Sequence, residues 1–181
     1  QVLDVIETIC RKHDITYFAD WGTILGTVRH GGYVPWDDDM DICMKREDYT
    51  RFKEAAKTEL PKDFRIHDYE HQEDHWLFLS RVANSVHINF EPEHMKQFHN
   101  FPYIAGIDIF VLDYLYKDEQ QEKQRCEEVK HIIAVADSII AGEIAQPVKE
   151  ANLIQLEEKY HKTFNRKLDN RHIAVSYTHL R

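Results

Sequence analysis

The chain has 181 residues, 43% hydrophobic, 30% charged and 12% aromatic, with a formal net charge of −9 and an isoelectric point near 5.7. That length suits one domain able to bury a core without disulfide or metal staples, and the acidic balance argues against a nucleic-acid partner, whose phosphates call for a basic groove. No run reaches the roughly 18 uninterrupted apolar residues of a membrane span, because the greasiest stretch, Ile132 to Ala145, is broken by Asp137 and Glu143.

Val2 to Lys12 carries Leu3, Ile6 and Ile9 at helical spacing with Val2 and Val5 beside them, and predicts a helix. Thr16 to Asp20, short and aromatic, predicts a strand. Gly22 breaks the chain, and Thr23 to His30 predicts a short helix. Its end is marked by Arg29 and His30 in the last turn and by Gly31-Gly32, which can take the left-handed stop. Tyr33 to Trp36 leads into an acidic strand at Asp39 to Ile42, and Arg46 or Glu47 through Leu60 predicts a further helix closed by Pro61.

Phe64 to Tyr69, Trp76 to Ala83 and Val86 to Phe90 predict strands, the last two joined by Asn84-Ser85 as a hairpin turn. A polar stretch from Glu91 to Asn100 interrupts. Tyr103 to Leu112 resumes as a strand, with Ile107, Ile109 and Val111 alternating against Asp108, Phe110 and Leu112. Glu119 to Ala141 and Lys149 to Leu168 predict long helices separated by Pro147, and no repeat or low-complexity linker is visible. The sum is an α+β mixed sheet with flanking helices and a helical C-terminal region, expected as one domain over residues 1–174. Ser176 to Arg181 has no periodicity and resembles translated adaptor sequence, so residues 175–181 are set aside as a tail that is non-native or disordered.

Cys10, Cys43 and Cys126 are scattered and fit neither a disulfide framework nor a CxxC zinc site, which suggests a reducing compartment. The expected location is cytoplasmic, with any membrane contact peripheral, at the inner face. Because the chain opens at Gln1 rather than Met, it is expected to be a segment of a longer protein, with targeting information missing.

Chemistry concentrates at Trp36-Asp37-Asp38-Asp39-Met40-Asp41-Ile42, shortly after Trp21-Gly22-Thr23. If Asp39 to Ile42 is extended, Asp39 and Asp41 share one face while Met40 and Ile42 point into the core. Two carboxylates side by side repel unless a cation lies between them, and a hard divalent ion such as Mg²⁺ or Mn²⁺ prefers that all-oxygen arrangement. The Gly22-Thr23 turn can bring backbone N–H groups to a phosphate at the start of a helix. Both features serve phosphoryl or nucleotidyl transfer, which needs charge on a leaving diphosphate neutralised, commonly by two ions roughly 3.5–4 Å apart. Asp108 is the candidate third carboxylate, since a lone Asp among Ile107, Ile109 and Phe110 is costly unless something binds it. Its competing assignment is a strand-end residue satisfied by backbone or an Arg.

Other residues carry two assignments each. Asp37 and Asp38 are expected as loop or supporting residues, and Asp113 as a turn or cap. Arg29 either faces the donor phosphates or caps its helix, and Arg81 either reaches a phosphate or forms a structural ion pair. Trp21, Tyr33 and Trp36 are expected as core or wall aromatics, with an aromatic cage for a quaternary ammonium as the alternative. His67, His71 and His75 recur every fourth residue, but the local pattern is not helical and a zinc face is disfavoured.

Gly22-Thr23-Ile24-Leu25-Gly26-Thr27-Val28-Arg29-His30, followed by Gly32 through Ile42, resembles the signature of the LicD family, and Gly106 through Asp113 resembles its second block. Members of that family are phosphocholine transferases of bacterial surface glycans, and the fukutin-type ribitol phosphate transferases are similar. The resemblance runs from about Tyr17 to Tyr49 and again near Asp108; the helical half carries no matching motif. It implies the nucleotidyltransferase (polymerase β-like) fold, a divalent metal, CDP-choline or another CDP-alcohol as donor, and a cell-surface glycan as acceptor. Asp39 and Asp41 are then metal ligands and Asp108 is a third ligand or the base for the acceptor hydroxyl. Gly22 and Thr23 line the donor phosphates, with Arg29 beside them; the broader superfamily has Gly-Gly or Gly-Ser at the first two positions. Two rival expectations stand beside this one: attachment of NMP to a small molecule or sugar, and an inert glycan- or nucleotide-binding module.

Overall fold

The computed structural model describes residues 1–37, 39–68, 75, 77, 79–161, 163–167 and 173. Its elements are α1 (Val2–Lys12), β1 (Phe18–Ala19), α2 (Trp21–His30), β2 (Asp41–Lys45), α3 (Arg46–Glu59), β3 (Arg65–His67), β4 (Leu79–Ala83), α4 (Pro92–Gln97), β5 (Gly106–Leu112), α5 (Glu119–Ala141) and α6 (Gln146–Tyr160). The strands form one open mixed sheet in the order β1-β2-β5-β4-β3. β2 and β5 pair in parallel at its centre, and the remaining neighbours are antiparallel.

The chain divides into two compact units, the described residues of 1–68 and 78–113 and those of 69–77 and 114–181. In the first unit, Ile42 and Met44 of β2, Ile107 and Ile109 of β5 and Val82 of β4 share a core with Ile6 and Ile9 of α1 and Phe52 of α3. The central strands therefore turn apolar side chains inward, and α1 and α3 cover that face with the stripe their 3.6-residue period supplies. In the second unit, Ile132, Val135, Ala136 and Ile139 of α5 pack with Leu153 and Leu156 of α6, Phe164 and Ile173. Arg166 ties the segment after α6 back to it through Glu150 and Glu157. Among the described residues no helix is long and apolar enough to cross a membrane.

Several boundaries differ from the expectation. Val86 to Phe90 is not a strand: Ser85 Oγ accepts from the His87 N–H (3.2 Å) and donates to the His87 carbonyl (2.7 Å), curling the chain where a hairpin would continue. The polar stretch after it contains α4, which starts on Pro92, a residue whose fixed φ suits the first helical turn. Pro147 does not separate the last two helices but lies in the first turn of α6; the break is at Gly142, in the left-handed conformation at φ 70°. α6 then ends at Tyr160, with His161 at φ 53°. The parts of the expected strands at Tyr69, Trp76 and Phe78, the end of the expected last helix at Leu168, and the tail 175–181 lie outside the described residues.

Candidate functional site

The site is assembled where α2 begins and β2 begins. Asp20 caps α2, its carboxylate accepting from the Trp21 N–H at 2.9 Å, while its own N–H donates to the Asp41 carbonyl at 3.0 Å. Thr23 Oγ1 accepts from the Asp41 N–H at 2.8 Å. The backbone of Asp41 is thus clamped on both sides by the first turn of the helix. The first one-turn helical bond runs from the Ile24 N–H to the Asp20 carbonyl at 3.1 Å. The Gly22 and Thr23 amides precede it and have no carbonyl one turn back in the helix. They mark the positive end of the helix dipole, a natural place for an anion.

Two glycines let the following loop close over this helix. A Cβ on Gly22 would collide with Asp37 Oδ2, and one on Gly26 would collide with the Gly32 carbonyl and come within 2.8 Å of the Val34 nitrogen. Residues 32–37 therefore pack directly on α2, with Val34 buried beneath them. Trp21 holds a left-handed backbone at φ 41°, a cost an L-residue bears only where its surroundings impose it.

Across the sheet, Asp41 of β2 is in register with Asp108 of β5, and Asp108 with Arg81 of β4. Asp108 is buried, and its two carboxylate oxygens accept from Arg81 Nε and, at 2.7 Å, from Arg81 Nη2. Its N–H donates to the Met40 carbonyl at 3.1 Å. Arg81 is held above the ordinary guanidinium range, first by its hydrogen bonds to Asp108, against the opposing effect of burial, and further by the charges of Asp108, Asp39 and Asp41. Asp41 is pushed up to about 6, first by burial and then by the carboxylates of Asp39, Asp108, Asp37 and Asp20.

A hard cation at Asp39 and Asp41 fits that charge distribution: oxygen donors only, in a half-buried place where negative charge is in excess. Among the described residues no three His, Cys, Asp or Glu side chains are gathered closely enough to form a complete metal cage by themselves. Mg²⁺ in particular keeps waters and substrate oxygens around one or two carboxylates, so a two-carboxylate seat is compatible with it. A cleft of about 440 Å³ opens beside this seat, lined among others by Tyr33, Asp37, Asp39, Met40 and Gly106.

The expected site residues are thus only partly gathered. Asp39 precedes β2 rather than lying in it, and is exposed, so the shared face expected from strand alternation does not come from a regular strand. Gly22, Thr23, Asp41 and Asp108 converge through the contacts above. Arg29 lies on the last turn of α2, about 9 Å along the axis from Thr23 at the usual helical rise, and is exposed. Arg81 is paired with Asp108, which matches its ion-pair assignment, and Asp113 pairs with Arg46 at 2.6 Å. Trp21, Tyr33 and Trp36 are not core residues, being 65%, 61% and 76% exposed. Trp21 meets the Phe110 ring at 5.8 Å and Trp36 the His30 ring at 6.1 Å. His67 lies on β3, which removes the helical histidine face; Asp38 and His71 lie outside the described residues.

Sequence reasoning missed Asp20 and the close seat of Asp37 on Gly22. Asp20 carried a readable signal, an acidic residue immediately before a helix, but α2 starts two residues earlier than expected, so the cap was placed in the preceding strand. Asp37 carried none, because only the folded loop brings it against α2.

Comparison with known proteins bears on the same region. The lipopolysaccharide cholinephosphotransferase LicD of Haemophilus influenzae is 43% identical over 51 residues, 28% of this chain and 19% of that protein. An uncharacterized protein of Rickettsia typhi is 39% identical over 54 residues, 30% of this chain and 18% of that protein. The matched stretches thus span less than a fifth of either relative. The family model described as LicD/FKTN/FKRP, nucleotidyltransferase domain, matches residues 14–135, which include α2, the acidic segment and β5. Since that match covers well over half of the sequence and contains every residue of the site, the chain belongs to the LicD/FKTN/FKRP nucleotidyltransferase-domain family.

Proposed function

We propose that this chain forms the nucleotidyltransferase-type (polymerase β-like) part of a phosphotransferase that moves phosphocholine from CDP-choline, or a related phosphorylated alcohol from its CDP ester, to a hydroxyl of a cell-surface glycan. The observation that carries this is the adjacency of two complementary half-sites: the Gly22 and Thr23 amides at the start of α2, and the carboxylate-crowded Asp41 that the same helix turn clamps. A diphosphate ester with a bound cation needs both. Family membership and the named activity of the Haemophilus relative support the donor and acceptor classes.

In this mechanism the Gly22 and Thr23 amides bind a donor phosphate oxygen and orient the diphosphate. Asp39 and Asp41 would hold Mg²⁺ or Mn²⁺, whose charge would offset that developing on the departing CMP. Asp108, fixed in line with Asp41 by Arg81, accepts a hydrogen bond from the acceptor hydroxyl and aims it at the phosphorus of phosphocholine. The hydroxyl oxygen bonds to that phosphorus as its bond to the bridging diphosphate oxygen breaks. The hydroxyl proton passes to the Asp108 carboxylate and from there to solvent, and CMP leaves with the bridging oxygen.

The test is calorimetric binding of CDP-choline with and without Mn²⁺, on this chain and on the Asp39→Asn/Asp41→Asn double variant. Mn²⁺-dependent binding that the double variant loses is expected. Equal binding without metal would refute the carboxylate–metal mechanism and favour a binding module. In turnover assays, CMP release supports phosphocholine transfer, whereas pyrophosphate release from an NTP would point to NMP attachment.

A further inference from the structure

Arg81 is built into the acidic site rather than laid across it. It stands on β4 in register with Asp108 on one side and His67 of β3 on the other. Its guanidinium takes both oxygens of Asp108, a two-pronged geometry that a lysine or a water cannot reproduce. Room for its stem is provided by the absence of a side chain at Gly106: a Cβ there would come within 2.9 Å of Arg81 Cδ and 3.0 Å of Cγ. Two-ion phosphoryl-transfer sites use carboxylates that bridge or flank both cations. Here Asp108 lies beside Asp41 in the strand register, yet both of its oxygens already accept from a fixed positive charge, which a hydroxyl donor tolerates and a second cation does not.

We propose that Arg81 stands in for a second cation, closing Asp108 to metal so that the donor-free site binds a single divalent ion through Asp39 and Asp41. The idea rests on the metal-dependent reading of the site and adds its stoichiometry and the residue that sets it. Arg81 is in this sense a positioning residue, holding Asp108 at the acceptor side while supplying charge at no cost in metal recruitment.

The test uses Mn²⁺ alone, without donor, titrated by calorimetry and followed independently by the electron paramagnetic resonance signal of free Mn²⁺. The unsubstituted chain is expected to bind a single Mn²⁺. Arg81→Gln, which removes the charge and frees both Asp108 oxygens, should bind a second, and Arg81→Lys, which keeps the charge but cannot take both oxygens, should bind a second more weakly than Arg81→Gln. Gly106→Ala, which presses on the Arg81 stem while leaving every charge in place, provides a second variant if Arg81→Gln does not fold; tighter or additional Mn²⁺ binding is expected there too. Two ions in the unsubstituted chain, or unchanged stoichiometry and affinity in both folded Arg81→Gln and Gly106→Ala, would overturn the proposal while leaving the metal site standing. Absence of Mn²⁺ binding in every protein, or binding unaffected by Asp41→Asn, would instead remove the metal-site reading on which it depends.

Discussion

Asp41 is half-buried among other carboxylates, and without a counter-ion that placement works against the fold. Its carboxyl titrates near 3.8 in an unstructured chain and is pushed up to about 6 here, so across that interval the folded state holds a proton the unfolded state has lost. Its contribution to stability is fully present below about 4 and disappears as pH rises through about 6. The metal-free protein should therefore lose stability from this group over that interval, and Asp41→Asn should flatten the slope. Added Mn²⁺ should raise the melting temperature more at pH 7.5 than at pH 5. Thermal unfolding at a series of pH values, with and without metal, reads all three, and an unchanged slope in Asp41→Asn would assign it to another group. At this scale the sequence was informative about residue type and spacing: Asp39, Asp41 and Asp108 stood out as carboxylates in apolar or extended surroundings. It was silent about which cation each one meets. Arg81 had a phosphate and an ion pair as equal prospects, and only strand register brought it opposite Asp108.

The acidic segment depends on α2, and α2 on its glycines. Gly26 is the sharper case, since what a side chain there would meet is backbone, the Gly32 carbonyl and Val34 nitrogen, which cannot swing aside. Gly26→Ala should cost about 1–3 kcal/mol, the usual range for forcing volume into a packed contact. Gly22→Ala should cost less, because its obstacle is the movable end of the Asp37 side chain. Denaturant titration of the two variants checks the order, and an equal loss would mean that the loop yields as easily as a side chain. Among elements, α1 and α5 were legible to the residue and α3 almost so, because long amphipathic runs announce themselves through 3.6-residue spacing. The Val86 to Phe90 strand and α4 went wrong for a shared reason: both are short, and local side-chain bonds or a proline start outweigh a weak periodic signal.

Over the whole molecule, two separate cores divide the work. Every residue assigned to the site belongs to the unit built around the sheet, whereas Leu153 is fully buried in the helical unit's core. Leu153→Ala should destabilise that unit by about 2–5 kcal/mol, as core truncations of this kind do, and leave Mn²⁺ affinity at Asp39 and Asp41 unchanged at temperatures where the protein stays folded. Chemical unfolding of one portion of the protein and Mn²⁺ titration of another, kept folded, measure both. A parallel loss of metal affinity would show that the helical unit supports the site. The family match reaches residue 135 and so enters α5, although no motif in that helix was recognisable.

The sequence by itself determined the family and marked out the candidate site, because a Gly-Thr helix start, paired aspartates and an acid in an apolar strand are local patterns whose cost or use follows from residue type alone. It also determined most helices, through periodicity. What only the tertiary structure decided is pairing: Asp41 with Asp108 and Asp108 with Arg81 across three strands, Thr23 on the Asp41 amide, and Asp37 against Gly22. These join residues far apart in the chain, and strand register and loop closure, which bring them together, are set by the packing of the whole sheet rather than by any segment of it.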